Sequence, residues 1–154
     1  ILDKNKAAIW RGPMLSGAIK QLKNLTQWGN LDYLFIDMPP GTGDAYLTVA
    51  SEIKPNNVLL VTSQSKLAVQ DTIKSKIMFE KLKIPIIGLV DNMSYSIYPN
   101  SDDEVFDFPE INLENEIGLK VLGSIPRTKD LANFNPNKLS SFFEPLYNEL
   151  IKVT

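Results

Sequence analysis

Five apolar runs of strand length punctuate the chain, over residues 7–10, 33–37, 57–62, 84–91 and 120–125. Most are continuous rather than alternating, which suits parallel strands covered on both faces. Between them the apolar spacing turns helical. Leu15, Ala18, Ile19, Leu22 and Leu25 make one stripe, and Ile73, Ile77, Met78 and Leu82 make another. A last helix is predicted over residues 140–153, capped by Ser140 or Ser141, with Pro145 tolerated in its first turn, where N–H groups lack helical partners. Strands alternating with helices imply crossover connections and an open, mostly parallel α/β sheet with helices on both faces.

Residues 94–118 break that alternation. They hold Asp102, Asp103, Glu104, Asp107, Glu110, Glu114 and Glu116 among a few aromatics, a composition expected to form a solvated, mobile acidic loop. The carboxylate spacing matches no calcium-binding loop of the EF-hand kind. With 154 residues, 44% of them hydrophobic, the chain has the size of one globular domain over 1–154. A net charge of −2 gives no field suited to nucleic acid or to an acidic membrane surface. No apolar run is long enough to span a bilayer, so no stable membrane anchor is expected. Cysteine and histidine are both absent, which removes disulfides, thiolate ligation of iron–sulfur centres and the commonest metal ligand.

In open α/β sheets ligands sit beyond the carboxyl ends of the strands, a rule that selects Arg11, Asp37, Gly41, Asn92 and Pro126. The richest stretch is Leu-Asp-Tyr-Leu-Phe-Ile-Asp-Met-Pro-Pro-Gly-Thr-Gly-Asp over 31–44. It predicts a buried strand ending in Asp37, followed by a stiff turn at Pro39 and Pro40. A carboxylate so placed can hold Mg²⁺ through water, while Gly41 is the hinge whose N–H can face a terminal phosphate. Asp44 and Thr42 suit helix capping or bracing of the turn. Asn92 carries both donors and an acceptor, as a purine edge requires, and equally suits the closing of a turn after a strand. Arg11 is open between a phosphate or partner contact and a plain surface role.

Four strings in this order, Trp-Arg-Gly-Pro-Met at 10–14, Asp-Met-Pro-Pro-Gly-Thr-Gly-Asp at 37–44, Asp-Asn-Met-Ser-Tyr at 91–95 and Leu-Gly-Ser-Ile-Pro at 122–126, resemble the Mrp/ApbC family. These are ATP-binding iron–sulfur cluster carriers related to the MinD/ParA ATPases. The resemblance implies a P-loop NTPase-like fold, with ATP and Mg²⁺ as cofactors in the complete protein. It assigns Asp37 to the Mg²⁺ shell, Gly41 and Pro40 to the phosphate-sensing turn, Asn92 to the adenine edge and Pro126 to the surface beneath the ring. Two departures stand beside it. The family's glycine-rich, lysine-bearing P-loop is absent, which with the start at Ile1 implies the carboxyl-terminal, N-terminally incomplete portion of a longer ATPase, inactive alone. The family's two cluster-binding cysteines fall at Tyr98 and Ser101, so a [4Fe–4S] cluster is expected of the family and not supported by this chain.

By resemblance the complete protein is a cytoplasmic homodimer, with an organellar setting left open, that passes clusters to acceptor proteins and contacts no nucleic acid. Two alternatives stay open: a degenerate, non-enzymatic partner-binding scaffold, and a MinD/ParA-like positioning ATPase without a cluster.

Overall fold

The computed structural model describes residues 12–38, 44–97, 104–106, 111–133 and 136–153. The chain divides into two compact units, Ile1–Pro55 and Asn56–Thr154.

In the first unit, α1 (Gly12–Leu25) packs against α2 (Asp44–Ile53). Ile19 is buried on α1, and Tyr46, Val49 and Ala50 are buried on α2. Lys23 Nζ donates to the Glu52 carbonyl at 2.6 Å, a cation at the carbonyl-rich end of α2. Lys20 pairs with the Glu52 carboxylate at 3.1 Å. Leu22 and Leu25, expected on the covered stripe of this helix, are exposed instead. The predicted strand over 33–37 is absent: residues 33–38 form no ladder with any described residue, and Phe35 is 84% exposed. A strand needs a ladder for its N–H and C=O groups, and apolarity alone does not supply one. The expected strand over 7–10 lies outside the described residues.

The second unit is the α/β sheet. Its elements are β1 (Val58–Thr62), α3 (Lys66–Lys81), β2 (Ile86–Ile97), β3 (Glu104–Val105), α4 (Leu113–Ile117), β4 (Val121–Arg127), α5 (Lys129–Ala132) and α6 (Pro136–Val153). β2 is central and pairs in parallel with both β1 and β4, as the continuous apolar runs predict. Because Asp91 pairs with Thr62 and Ser124, and Ser96 with Val105 and Arg127, β4 takes one edge of β2 while β1 and antiparallel β3 share the other.

The expected irregular loop over 94–118 is therefore corrected at both ends. Ser94 to Ile97 continue β2, and Leu113–Ile117 form a helix whose N-cap Asn112 accepts from the Asn115 N–H at 3.0 Å. Lys76 Nζ donates to the Ile117 carbonyl at 2.7 Å, fastening the other end of α4 to α3.

α3 also turns a different face inward from the one its spacing suggested. Val69, Thr72 and Phe79 are buried, whereas Ile77 and Leu82 are exposed. Thr72 is accommodated because its hydroxyl donates back to the Ala68 carbonyl at 2.8 Å. Lys83, at φ 57°, takes the left-handed position usually given to glycine, and the Lys83 and Ile84 N–H groups close the helix on the Glu80 and Phe79 carbonyls.

The core joins Val90 of β2, Leu122 and Ile125 of β4 and Leu146 of α6, with Leu59, Leu131 and Leu150 packed around them. α6 begins at Pro136, so Pro145 lies inside the helix rather than in its first turn. Proline at the first helical position costs no hydrogen bond, a start signal stronger than the serine caps expected further on.

Candidate functional site

The parallel pairing ends β1 beside the middle of β2, while β2 and β4 run on together to Ser96 and Arg127. Thr62 closes β1 opposite Asp91, and Asn92 stands opposite Ile125, one residue before Pro126. Asn92 is half-buried and Pro126 buried. Immediately afterwards the ladder breaks: between the Asn92–Ile125 and Ser96–Arg127 pairs, β2 advances four residues while β4 advances two. Met93 occupies this bulge at φ 55°, a conformation uncommon outside glycine, with its side chain 48% exposed. Such bulges re-aim side chains at sheet rims and beside binding sites. Here the bulge starts at Asn92, so the amide stands where the regular sheet ends.

Asp91, one residue earlier, is 6% exposed. Gln64 Nε2 donates to its Oδ2 at 2.6 Å, and the Gln64 Oε1 in turn accepts the Ile111 N–H at 2.9 Å. Oδ1 of Asp91 is buried without a hydrogen-bond partner among the described residues. Burial pushes the Asp91 carboxyl above its ordinary range, and the Gln64 amide draws it partly back. Ser94, also buried, donates to the Ile125 carbonyl at 3.3 Å across the bulge.

Of the residues singled out by sequence, Asn92 and Pro126 are brought to one edge on adjacent strands. Asp37 lies in the other unit, on an exposed segment rather than at a strand end. Arg11, Pro40, Gly41, Tyr98 and Ser101 lie outside the described residues. Sequence reasoning passed over Gln64 and Asp91. The rule that selects residues just past strand ends reaches Gln64, two positions after Thr62, and Asp91 closes an apolar run as Asp37 does.

No cluster of three or more acidic, histidine or cysteine side chains suited to a metal occurs among the described residues. The chain as a whole has neither cysteine nor histidine, so its donor set does not fit an iron–sulfur cluster. No helix among the described residues is long and apolar enough to cross a membrane.

Comparison with known proteins gives these observations a context. An iron–sulfur cluster carrier protein of Pseudomonas fragi is 41% identical over 160 aligned positions, covering 97% of this chain and 56% of the relative. Its counterpart in Aquifex aeolicus is 39% identical over 127, covering 80% of this chain and 35% of the relative. The chain thus spans roughly a third to a little over half of those relatives' length. Among solved structures, a nucleotide-binding protein from Archaeoglobus fulgidus in complex with ADP superposes with a TM-score of 0.69 at 35% identity, covering 78% of this chain and 51% of its own. The cell-division ATPase MinD of Pyrococcus furiosus, at 24% identity and a TM-score of 0.65, covers 94% of this chain and 60% of its own and shares the fold. The family described as ParA, NUBPL iron-transfer P-loop NTPase, matches residues 1–145, and the chain belongs to that family.

Proposed function

We propose that this chain is the base-side portion of an adenine-nucleotide-dependent iron-transfer NTPase. The observation that supports the reading is the pairing of Asn92 with Ile125, one residue before Pro126, on adjacent parallel strands just past the carboxyl end of β1, the side on which open α/β sheets take their ligands. In this reading the Asn92 amide reads the purine edge, using a donor and an acceptor together, and Pro126 lends an apolar surface to the ring. Asp37 belongs to the Mg²⁺ shell, and Pro40 and Gly41 to the turn that senses the terminal phosphate. Arg11 suits the phosphates or a partner copy. ATP and Mg²⁺ are the cofactors and a homodimer is the working form of the complete protein, which hands its cargo to iron–sulfur acceptor proteins in the cytoplasm.

No glycine-rich lysine loop stands in this sequence to cradle the phosphates, so the chain by itself keeps the base contacts and loses most phosphate binding. No cluster is ligated at Tyr98 or Ser101, where phenol and hydroxyl stand in place of thiolates. These two departures favour one second reading, a nucleotide-free scaffold that binds partners.

Titration of the 154-residue chain with ATP·Mg²⁺ by NMR separates the two. The expected result is saturable binding near about 1 mM. The Asn92 side-chain amide should shift, and Asn92→Ala should weaken binding by about tenfold. Binding that Asn92→Ala leaves unchanged overturns the site, and no binding at all favours the scaffold.

A further inference from the structure

The corner carrying Asn92 lies where the regular β2–β4 ladder ends, and side chains of Gln64 and Ser94 tie it down there. Beyond the Asn92–Ile125 pair the β2–β4 ladder lapses until Ser96, and Met93 adopts a left-handed backbone, so ladder bonds do not fix the chain's direction there. Beside its ladder pairs with Thr62 and Ser124, the buried Asp91 is held through its side chain, which accepts from Gln64 Nε2 at 2.6 Å. The same amide accepts the Ile111 N–H at 2.9 Å, and Ile111 leads into α4 at the far end of the acidic stretch over 94–118. Gln64 therefore joins three places distant in sequence: the end of β1, the corner of β2 and the entry to α4. The demand on its chemistry is narrow. A carboxylate on one side needs a donor and a backbone N–H on the other needs an acceptor, and a side-chain amide supplies both. Glutamate lacks the donor, and lysine and arginine lack the acceptor.

We propose that Gln64 is a positioning residue that locks the base-reading corner Asp91–Asn92 to the entry of α4, so that purine selectivity depends on a side chain that does not touch the base. This rests on the reading of Asn92 given above and adds to it a second determinant of base selectivity.

The test exchanges donor and acceptor. Gln64→Glu sets a second carboxylate against Asp91 and removes the donor. Adding Asp91→Asn restores a donor from the other side, while the carboxylate introduced at position 64 still accepts the Ile111 N–H. Two quantities are read by NMR on the whole chain: the hydrogen-exchange rate of the Ile111 amide, and the ratio of the dissociation constants for GTP and ATP. Gln64→Glu should speed Ile111 exchange and lower the GTP/ATP ratio, each by about tenfold. The double variant should recover both to within about twofold. Recovery of a nucleotide ratio by a swapped pair is not expected of a merely structural contact.

A double variant no better than Gln64→Glu, or a Gln64→Glu protein with unchanged Ile111 exchange and unchanged ratio, overturns the proposal. Asn92→Ala run in parallel separates the two failures. If it leaves the GTP/ATP ratio intact, the base-site reading falls and the selectivity claim with it. If it collapses the ratio while Gln64→Glu does not, only the role given to Gln64 falls.

Discussion

Gly88→Ala is the sharpest probe of how β2 is brought close enough to β4 to present Asp91 and Asn92. A Cβ at position 88 would stand 2.6 Å from Leu122 Cγ and 2.7 Å from its Cδ1. Carbon atoms in good contact sit roughly 3.5–4.0 Å apart, so the added methyl intrudes by about 1 Å. The nearest atom is the branching carbon rather than a methyl tip, so rotating the leucine about its Cβ–Cγ bond does not relieve the clash. Nor can Leu122 retreat, being 5% exposed and packed with Val90, Ile125 and Leu146. Overpacking of this kind costs about 1–3 kcal/mol, and the close approach places Gly88→Ala near the upper end, at about 2–3 kcal/mol. For a domain of this size that lowers the midpoint of thermal unfolding by roughly 5–10 °C. Urea unfolding followed by circular dichroism measures the loss directly. Leu122→Ala alone should cost about 2–5 kcal/mol by opening a cavity. Combined with Gly88→Ala it should cost at least about 1 kcal/mol less than the sum, since the new methyl enters the vacated space. A Gly88→Ala loss below about 0.5 kcal/mol, or strict additivity of the pair, would refute the account of this contact.

Two further outcomes follow from the site's chemistry. Burial raises the folded-state pKa of Asp91 above its ordinary 3.8, so the group's contribution to stability is fully present below 3.8 and is lost as pH rises through the raised value. The urea midpoint of the wild type relative to Asp91→Asn should therefore improve as the solution is taken from neutral toward about pH 4, and a flat or opposite difference would refute that cause. Glu149, whose pKa is lowered by Lys152 and Lys120, acts in the opposite sense in both proteins and cancels in the comparison. Anaerobic reconstitution with iron and sulfide should leave this chain colourless after desalting, since it has neither cysteine nor histidine. Stoichiometric retention of both elements would show that some other donor set holds iron.

The sheet was legible because burial on both faces leaves a mark in composition. The apolar runs over 57–62, 84–91 and 120–125 correspond to β1, the first half of β2 and β4. Its continuation was legible too but was passed over. Asn-Met-Ser-Tyr-Ser-Ile over 92–97 alternates polar and apolar as a strand does, yet the acidic residues that follow drew the whole of 94–118 into one loop, and the backbone pairs with Val105 and Arg127. Apolarity misled in the other direction at 33–37, since it records a capacity for burial and says nothing about a partner. The inward face of α3 was missed for a related reason, because Thr72 is buried by bonding to its own helix.

The two aspartates show most plainly where sequence reading stops. Asp37 and Asp91 each close an apolar run, and only the turn chemistry after Asp37 set it apart. In the structure Asp37 is exposed, whereas Asp91 is buried against an amide from a residue 27 positions away. Which carboxylate becomes buried is decided by what the crossover through α3 returns to the strand end, and that depends on Gln64 following Thr62 at the right distance. A carboxylate held by one amide, its other oxygen buried without a partner among the described residues, is costly to keep. Its persistence at the strand end is understandable if the bond to Gln64 holds the corner carrying Asn92, and the exchange of donor and acceptor at positions 64 and 91 measures that coupling directly.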